Sequence, residues 1–299
     1  MTGALWAIVA GVGFGLFQTL NRRAVAGMDV FVATFMQLMI SALVLMSVCF
    51  ASQDMSALWN APWRAWLNFS LAGLIHFFLG WTFLNASQKR IGAARTSALV
   101  GTTPLFASAI SLITLGEVPT LVSLAGIALI VAGVFVTNNP LSRKEEGKGS
   151  GAATEGWIAL LLALAAPFFW SISPTFTRFG LQDLDSPLLG VAVGTVASVL
   201  CYGVALGIRS LRQPISAIST DAFIFKVAAG VLVGLSTWLR WVALDMAPVA
   251  FVLALTLISV PIVNLLTPLV VDRRLEQVTR RVWAGSLLII GGSLILILM

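Results

Sequence analysis

The chain has 299 residues, 59% of them hydrophobic and 10% charged, with a formal net charge of +6 and a mean hydropathy of +0.98. A soluble domain carries about 25% charged residues, so this composition excludes a water-exposed surface for most of the chain and makes lipid its solvent. The positive charge does not point to nucleic acid, because Lys and Arg sit between apolar runs and no basic stretch is interleaved with aromatics.

A helix needs about 20 apolar residues to cross a bilayer. Ten segments meet that requirement in chain order: 3–21, 29–51, 64–87, 93–115, 119–138, 156–177, 187–208, 222–245, 247–271 and 279–298. The first resembles a secretory signal, since Ala24-Val25-Ala26 looks like a cleavage site. A signal carries its positive charge ahead of its apolar core, whereas Arg22 and Arg23 follow it here. The expectation is a retained span. Short polar turns join most spans, such as Gly116-Glu117-Val118-Pro119 and Asp272 to Thr279. The stretch 139–155 is different: Arg143, Lys144, Glu145, Glu146, Lys148 and a Gly/Ser-rich tail give it the composition of a solvated linker. It divides the chain into 1–138 and 156–299, five spans each.

The two parts resemble each other. At an offset of 157 residues, Ala72-Gly73 falls on Ala229-Gly230, Trp81 on Trp238, Ala86 on Ala243, Ala93 on Ala250 and Pro104 on Pro261. With two more residues inserted, Glu117 falls on Glu276, Thr120 on Thr279, Gly126 on Gly285 and Gly133 on Gly292. An odd number of spans per repeat forces opposite orientations, the inverted-topology arrangement of many secondary transporters. The basic residues set the sidedness. Fifteen lie on the side of the loops after spans 1, 3, 5, 7 and 9, and three, Arg64, Arg178 and Arg240, on the other. That bias predicts cytoplasmic odd-numbered loops and both termini outside.

Candidate chemistry lies where polar groups enter the membrane. All twelve carboxylates sit at span ends or in loops. His76, the single histidine, is near the centre of span 3, either as a satisfied core residue or as a cavity group. Trp81 and Trp238 are repeat mates with Phe77 and Trp241 nearby, and each Trp reads as a cavity wall or as an interfacial residue; Trp59, Trp63 and Trp66 belong to the interfacial belt. Arg240 is expected to snorkel outward or to pair with Asp245. Pro104 and Pro261 free the carbonyls of Val100 and Leu257, which Thr102, Thr103 and Ser259 are placed to satisfy. The two breaks are either plain kinks or, at matched positions in two halves, pointers to a transport site. Gln18, Trp170 and Ser171 on spans 1 and 6 are further candidates. Gly11/Gly15, Gly190/Gly194, Gly203/Gly207 and Gly230/Gly234 read as close helix packing. Cys49 and Cys201 read as buried small hydrophobes. No metal-ligand cluster, GxSxG, HExxH or P-loop pattern occurs, so no catalytic residue, metal or cofactor is expected.

Two five-span repeats, Thr103-Pro104-Leu105-Phe106 inside the fourth span, then Leu115-Gly116-Glu117 and a Gly-spaced fifth span, resemble the EamA-type members of the drug/metabolite transporter superfamily, among them YddG-like amino-acid exporters. The resemblance covers nearly the whole chain, although the second repeat has Asp272-Arg273-Arg274-Leu275-Glu276 where the first has Gly-Glu. It implies an all-α, ten-helix transporter of the cell (inner) membrane with a central cavity. Such a protein exports small neutral or zwitterionic metabolites, such as amino acids, by alternating access. Multidrug efflux is the alternative within that class, and an intramembrane enzyme or a sensor is the alternative outside it. The expected partners are a small-molecule substrate and the bilayer, with the protein a monomer or weak dimer. The small multidrug transporters, distant relatives of this group, couple to protons through a midmembrane Glu. With none here, facilitated or weakly coupled export is expected.

Overall fold

The computed structural model describes residues 2–115, 120–137, 151–210, 218–272 and 274–298. Glu117 and most of the linker fall outside them. The described residues form helices only: α1 (Thr2–Ala26), α2 (Val30–Ser52), the short α3 (Met55–Trp59), α4 (Trp63–Gly73), a π-helical segment (Leu74–Gly80), α5 (Trp81–Ile91), α6 (Ala93–Val100), α7 (Thr103–Leu115), α8 (Leu121–Thr137), α9 (Gly151–Asp183), α10 (Pro187–Ser210), α11 (Thr220–Met246), α12 (Val249–Thr256), α13 (Ser259–Val270) and α14 (Arg280–Leu298). Among the described residues, seven helical stretches are long and apolar enough to cross a membrane: Gly3–Ala26, Val30–Ser52, Trp63–Ile91, Trp157–Asp183, Pro187–Ile208, Thr220–Met246 and Phe251–Val270. The stretches 93–115, 121–137 and 280–298 are also apolar helices, the first broken between Val100 and Thr103 and the second 17 residues long.

Local chemistry sets the ends. Asp29 caps α2 by accepting from the Phe31 and Val32 N–H groups, and Ser219 caps α11 by accepting from Ala222. Helix α9 starts at Gly151, five residues earlier than hydropathy predicts, and runs to Asp183 through two prolines. Gly92, at φ +91°, turns the chain between α5 and α6 in a conformation open only to glycine. Near the other end of the long spans, Arg178 on α9 donates to the carbonyls of Leu244 and Ala247, placing its charge at the negative end of the α11 dipole.

The packing repeats itself between the two parts of the chain. Helix α1 lies along α11, and α9 lies along the α4–α5 unit. Helix α11 also meets α2, as the α4–α5 unit meets α10; α1 meets α12 and α13, as α9 meets α6 and α7. Helix α8 packs on α14 through glycines. A methyl at Gly126 would lie 2.9 Å from the Gly292 carbonyl, and one at Gly133 would lie 2.8 Å from the Gly285 carbonyl. The backbones touch there, as small residues permit in lipid. Gly11 and Gly15 seat α1 against Thr256, Ile258, Ser259 and Ile262, Gly190 and Gly194 seat α10 against Phe69 and Gly73, and Gly230 and Gly234 seat α11 against Ile40 and Ser41. Gly203/Gly207 differs from the expectation of close packing: a methyl at Gly203 would make one ordinary contact with Phe35, and one at Gly207 would meet nothing. Cys49 is buried, whereas Cys201 is exposed rather than buried. Trp59 and Trp63 are largely exposed, as a belt requires.

Candidate functional site: a central cavity between two broken helices

The spans that carry Pro104 and Pro261 are both broken. α6 stops at Val100 and α7 starts at Thr103; α12 stops at Thr256 and α13 starts at Ser259. Each break tightens into i→i−3 bonds: Gly101 to Ala98 and Thr102 to Leu99 in one, Leu257 to Ala254 and Ile258 to Leu255 in the other. The Thr103 hydroxyl donates to the Val100 carbonyl at 2.7 Å, satisfying the group that Pro104 frees. Thr102 serves Leu99 instead, at 2.7 Å. The Leu257 carbonyl, freed by Pro261, accepts the backbone N–H of Val260 at 3.0 Å rather than a Ser259 hydroxyl.

The two breaks face one cavity of about 60 Å³, large enough for a few waters. Val100, Gly101, Thr103 and Pro104 line it from one break; Leu253, Thr256, Leu257, Ser259 and Val260 line it from the other. Helix α1 contributes Phe14, Phe17 and Gln18, α9 contributes Trp170, α11 contributes Val233 and Arg240, and the third span contributes His76 and Trp81. Seven of the twelve residues singled out by sequence therefore meet here: Gln18, His76, Trp81, Thr103, Pro104, Trp170 and Ser259. The other five stand behind the wall. Phe77 and Trp241 are core residues, stacked 6.4 Å apart between their centroids. Thr102 is buried at the break, Pro261 is half-buried in α13, and Trp238 packs part-buried against the main core.

Trp81 and its repeat mate Trp238 part company because their helices differ. Leu74–Gly80 is π-helical, with one more residue per turn, while α11 is regular from Thr220 to Met246. The extra residue rotates Trp81 to a face that Trp238 does not share. The second indole at the cavity is Trp170. Its Nε1–H donates to the His76 carbonyl inside the π segment at 3.0 Å, and its ring stacks on His76 with centroids 5.1 Å apart. Gly80 makes room, since a Cβ there would sit 2.2 Å from that nitrogen.

His76 is held from two sides. Nδ1 lies 3.0 Å from the Ser173 hydroxyl, and Arg240 Nη2 lies 3.1 Å from Nε2 and 3.2 Å from Nδ1. A proton on Nδ1 directed at Ser173 leaves Nε2 to accept from Arg240 at 3.1 Å, and the 3.2 Å approach of Nη2 to Nδ1 is then a close contact rather than a hydrogen bond. Arg240 thus departs from the expectation of an outward, Asp245-paired side chain. It is buried, with its guanidinium carbon 5.5 Å from the Phe14 ring centroid, while Asp245 is exposed beyond the end of the cavity. An intramembrane cation is a functional signal in its own right, and that reading of Arg240 was available in the sequence.

One to two turns toward the basic loops lies a second buried polar group. Lys226, counted at the cytoplasmic end of the eighth span, is fully enclosed; its Nζ donates to Asn21 Oδ1 at 2.5 Å and Gln37 Oε1 at 2.7 Å. Asn21 donates to Asn85 Oδ1 and Gln88 Oε1, and Asn85 to Thr34. These side chains bridge α1, α2, α5 and α11 below Gln18 and Trp81, closing the cavity toward that face. Removing Lys226 and Arg240 from the loop count leaves fourteen basic residues against two, so the charge bias persists.

Residues 1–139 match the model of the EamA-like transporter family. Residues 1–139 are thus an EamA-like transporter domain, of the drug/metabolite transporter superfamily. A solved crystal structure is similar over 97% of this chain and 95% of its own length, with a TM-score of 0.65 and 20% identity. That likeness is one of fold. No curated protein sequence matches this chain. Among the described residues, no group of three or more His, Cys, Asp or Glu residues gathers into a metal site.

Proposed function

We propose that the protein is a secondary transporter built as two inverted five-helix repeats, 1–138 and 156–299, joined by a cytoplasmic linker. In this reading it exports small neutral or zwitterionic metabolites, amino acids first among them, across the cell membrane by alternating access. The observation that carries the reading is the cavity, onto which two helices converge, each broken at an equivalent place in the repeat. Freed backbone and hydroxyl groups beside aromatic faces are what a small, partly apolar solute needs. The exchanged packing also supports it: the repeat that sets Gly126 on Gly285 and Gly133 on Gly292 converts the Gly126–Gly292 contact into the Gly133–Gly285 contact. The family match ends at residue 139, next to the linker. The bias of fourteen basic residues to two favours termini outside.

The test is counterflow. Liposomes holding the purified protein and an unlabelled neutral amino acid should take up the labelled compound faster than protein-free liposomes, and Trp81→Ala should slow this at equal folded protein. Uptake equal to that of empty liposomes across amino acids and drug-like solutes would remove the proposal.

A further inference from the structure

Arg240 is a buried cation that has no counter-ion among the described residues. Its side chain is 7% exposed and lines the cavity, yet no Asp or Glu is among the lining residues. Its described contacts are the neutral imidazole of His76 and the face of Phe14; its Nε has no hydrogen-bond partner. Burying an ionised group without a partner costs several kcal/mol. A fold that tolerates this beside its central cavity holds a charge that something entering the cavity can neutralise. The second unmet group is on the facing helix. Gln18, 3% exposed, also lines the cavity, and its Oε1 accepts nothing. One wall therefore offers a spare donor edge with positive charge, and another offers a spare acceptor.

We propose that Arg240 is the receptor for a carboxylate on the cargo and that Gln18 Oε1 accepts an N–H from the same molecule, so the site selects small amino-acid-like zwitterions over amines and cations. The proposal rests on the transporter reading above and assigns the residues that recognise its cargo. A guanidinium presents paired N–H groups in the spacing of a carboxylate. With Nη2 turned to His76, the Nε edge remains for cargo. The Ser173–His76–Arg240 chain then positions that edge: Ser173 fixes the imidazole, and the imidazole fixes the guanidinium. Trp81, Trp170 and Phe17 leave an apolar surface for the side chain of the solute. A cationic drug would meet like charge in a low dielectric, which the site disfavours.

The test works first on the cargo and needs no variant. Purified wild-type protein is titrated with the neutral amino acids, their carboxamides and the matching amines, following thermal stabilisation in detergent, and the same compounds compete in liposome counterflow. At least one free acid should bind ten-fold or more tightly than its amide, with amines weaker still. Arg240→Gln should abolish the acid-over-amide preference, Arg240→Lys should retain part of it, and Gln18→Leu should weaken amino acids but not the des-amino acids. Equal binding of acids and amides, tighter binding of amines, or no acid-dependent shift with any compound overturns the proposal. Should Arg240→Gln fail to fold, the wild-type comparison still decides. The two readings fail separately: Trp81-dependent flux without acid preference sinks the Arg240 assignment and leaves the transporter, whereas acid-selective binding without flux does the reverse.

Discussion

Glu276 joins three elements at the basic end of the molecule, and its removal has a calculable effect. One carboxylate oxygen accepts from the Ala93 N–H at 2.8 Å and the Arg22 Nε at 3.2 Å; the other accepts from the Ala94 N–H at 2.7 Å. The pair is buried, with Arg22 and Glu276 side chains 7% and 5% exposed. Glu276→Ala therefore strips the first turn of α6 of its cap, an effect of about 1 kcal/mol, and leaves Arg22 with the Leu275 carbonyl alone. Breaking a buried pair on one side costs roughly 3–5 kcal/mol. Because the two effects share one carboxylate, about 4 kcal/mol in total is expected, a fall in melting temperature on the order of 10 °C. Glu276→Gln keeps one oxygen for a backbone donor and should lose less. Asp221→Ala is the control, since the Arg23–Asp221 pair has side chains 40% and 56% exposed and such pairs contribute about 0–1 kcal/mol. Thermal melts of the three variants in one detergent decide the matter. A Glu276→Ala melt indistinguishable from that of Asp221→Ala would refute this reasoning.

Other outcomes follow from the same geometry. Gly92→Ala should lower the melting temperature too, because φ is +91° and the added Cβ would lie 2.3 Å from the Glu276 carboxyl carbon; backbone strain of this kind costs about 1–3 kcal/mol. Gly80→Ala should displace Trp170 from the His76 carbonyl and slow counterflow, whereas Gly207→Ala, which meets open space, should leave the rate unchanged. Trp81→Ala should weaken substrate binding several-fold, about 1 kcal/mol for one lost aromatic face. Trp63→Ala, at a residue 68% exposed, should not change binding, and Trp238→Ala should affect stability more than affinity.

Much of the cavity is legible in the sequence because proline chemistry is local. Pro104 and Pro261 remove donors at fixed offsets, so both breaks and the Thr103 repair can be read from the residues themselves. His76, Gln18 and Trp170 stand out for the same reason, as polar-capable groups inside apolar runs. The pairing of Trp81 with Trp238 does not transfer, since nothing in Leu74–Gly80 announces the extra π residue that rotates one helix against its mate. Lys226 and Arg240 each sit six residues from an end of α11, close enough that Arg240 reads as snorkelling and Lys226 as a charge of the cytoplasmic side. Only the tertiary partners, Asn21 and Gln37 for one and His76 for the other, hold them inward.

The central claim is that the two helix breaks border a path reached alternately from each side of the membrane. With Cys49 and Cys201 replaced by Ala, Val100→Cys and Thr256→Cys each place one thiol on the cavity wall, on opposite breaks. Labelling by a membrane-impermeant maleimide is followed in right-side-out and inside-out vesicles. Both thiols should react from either face, and the transported solute should slow the reaction. Labelling from one face only, at a rate indifferent to the solute, would contradict the account.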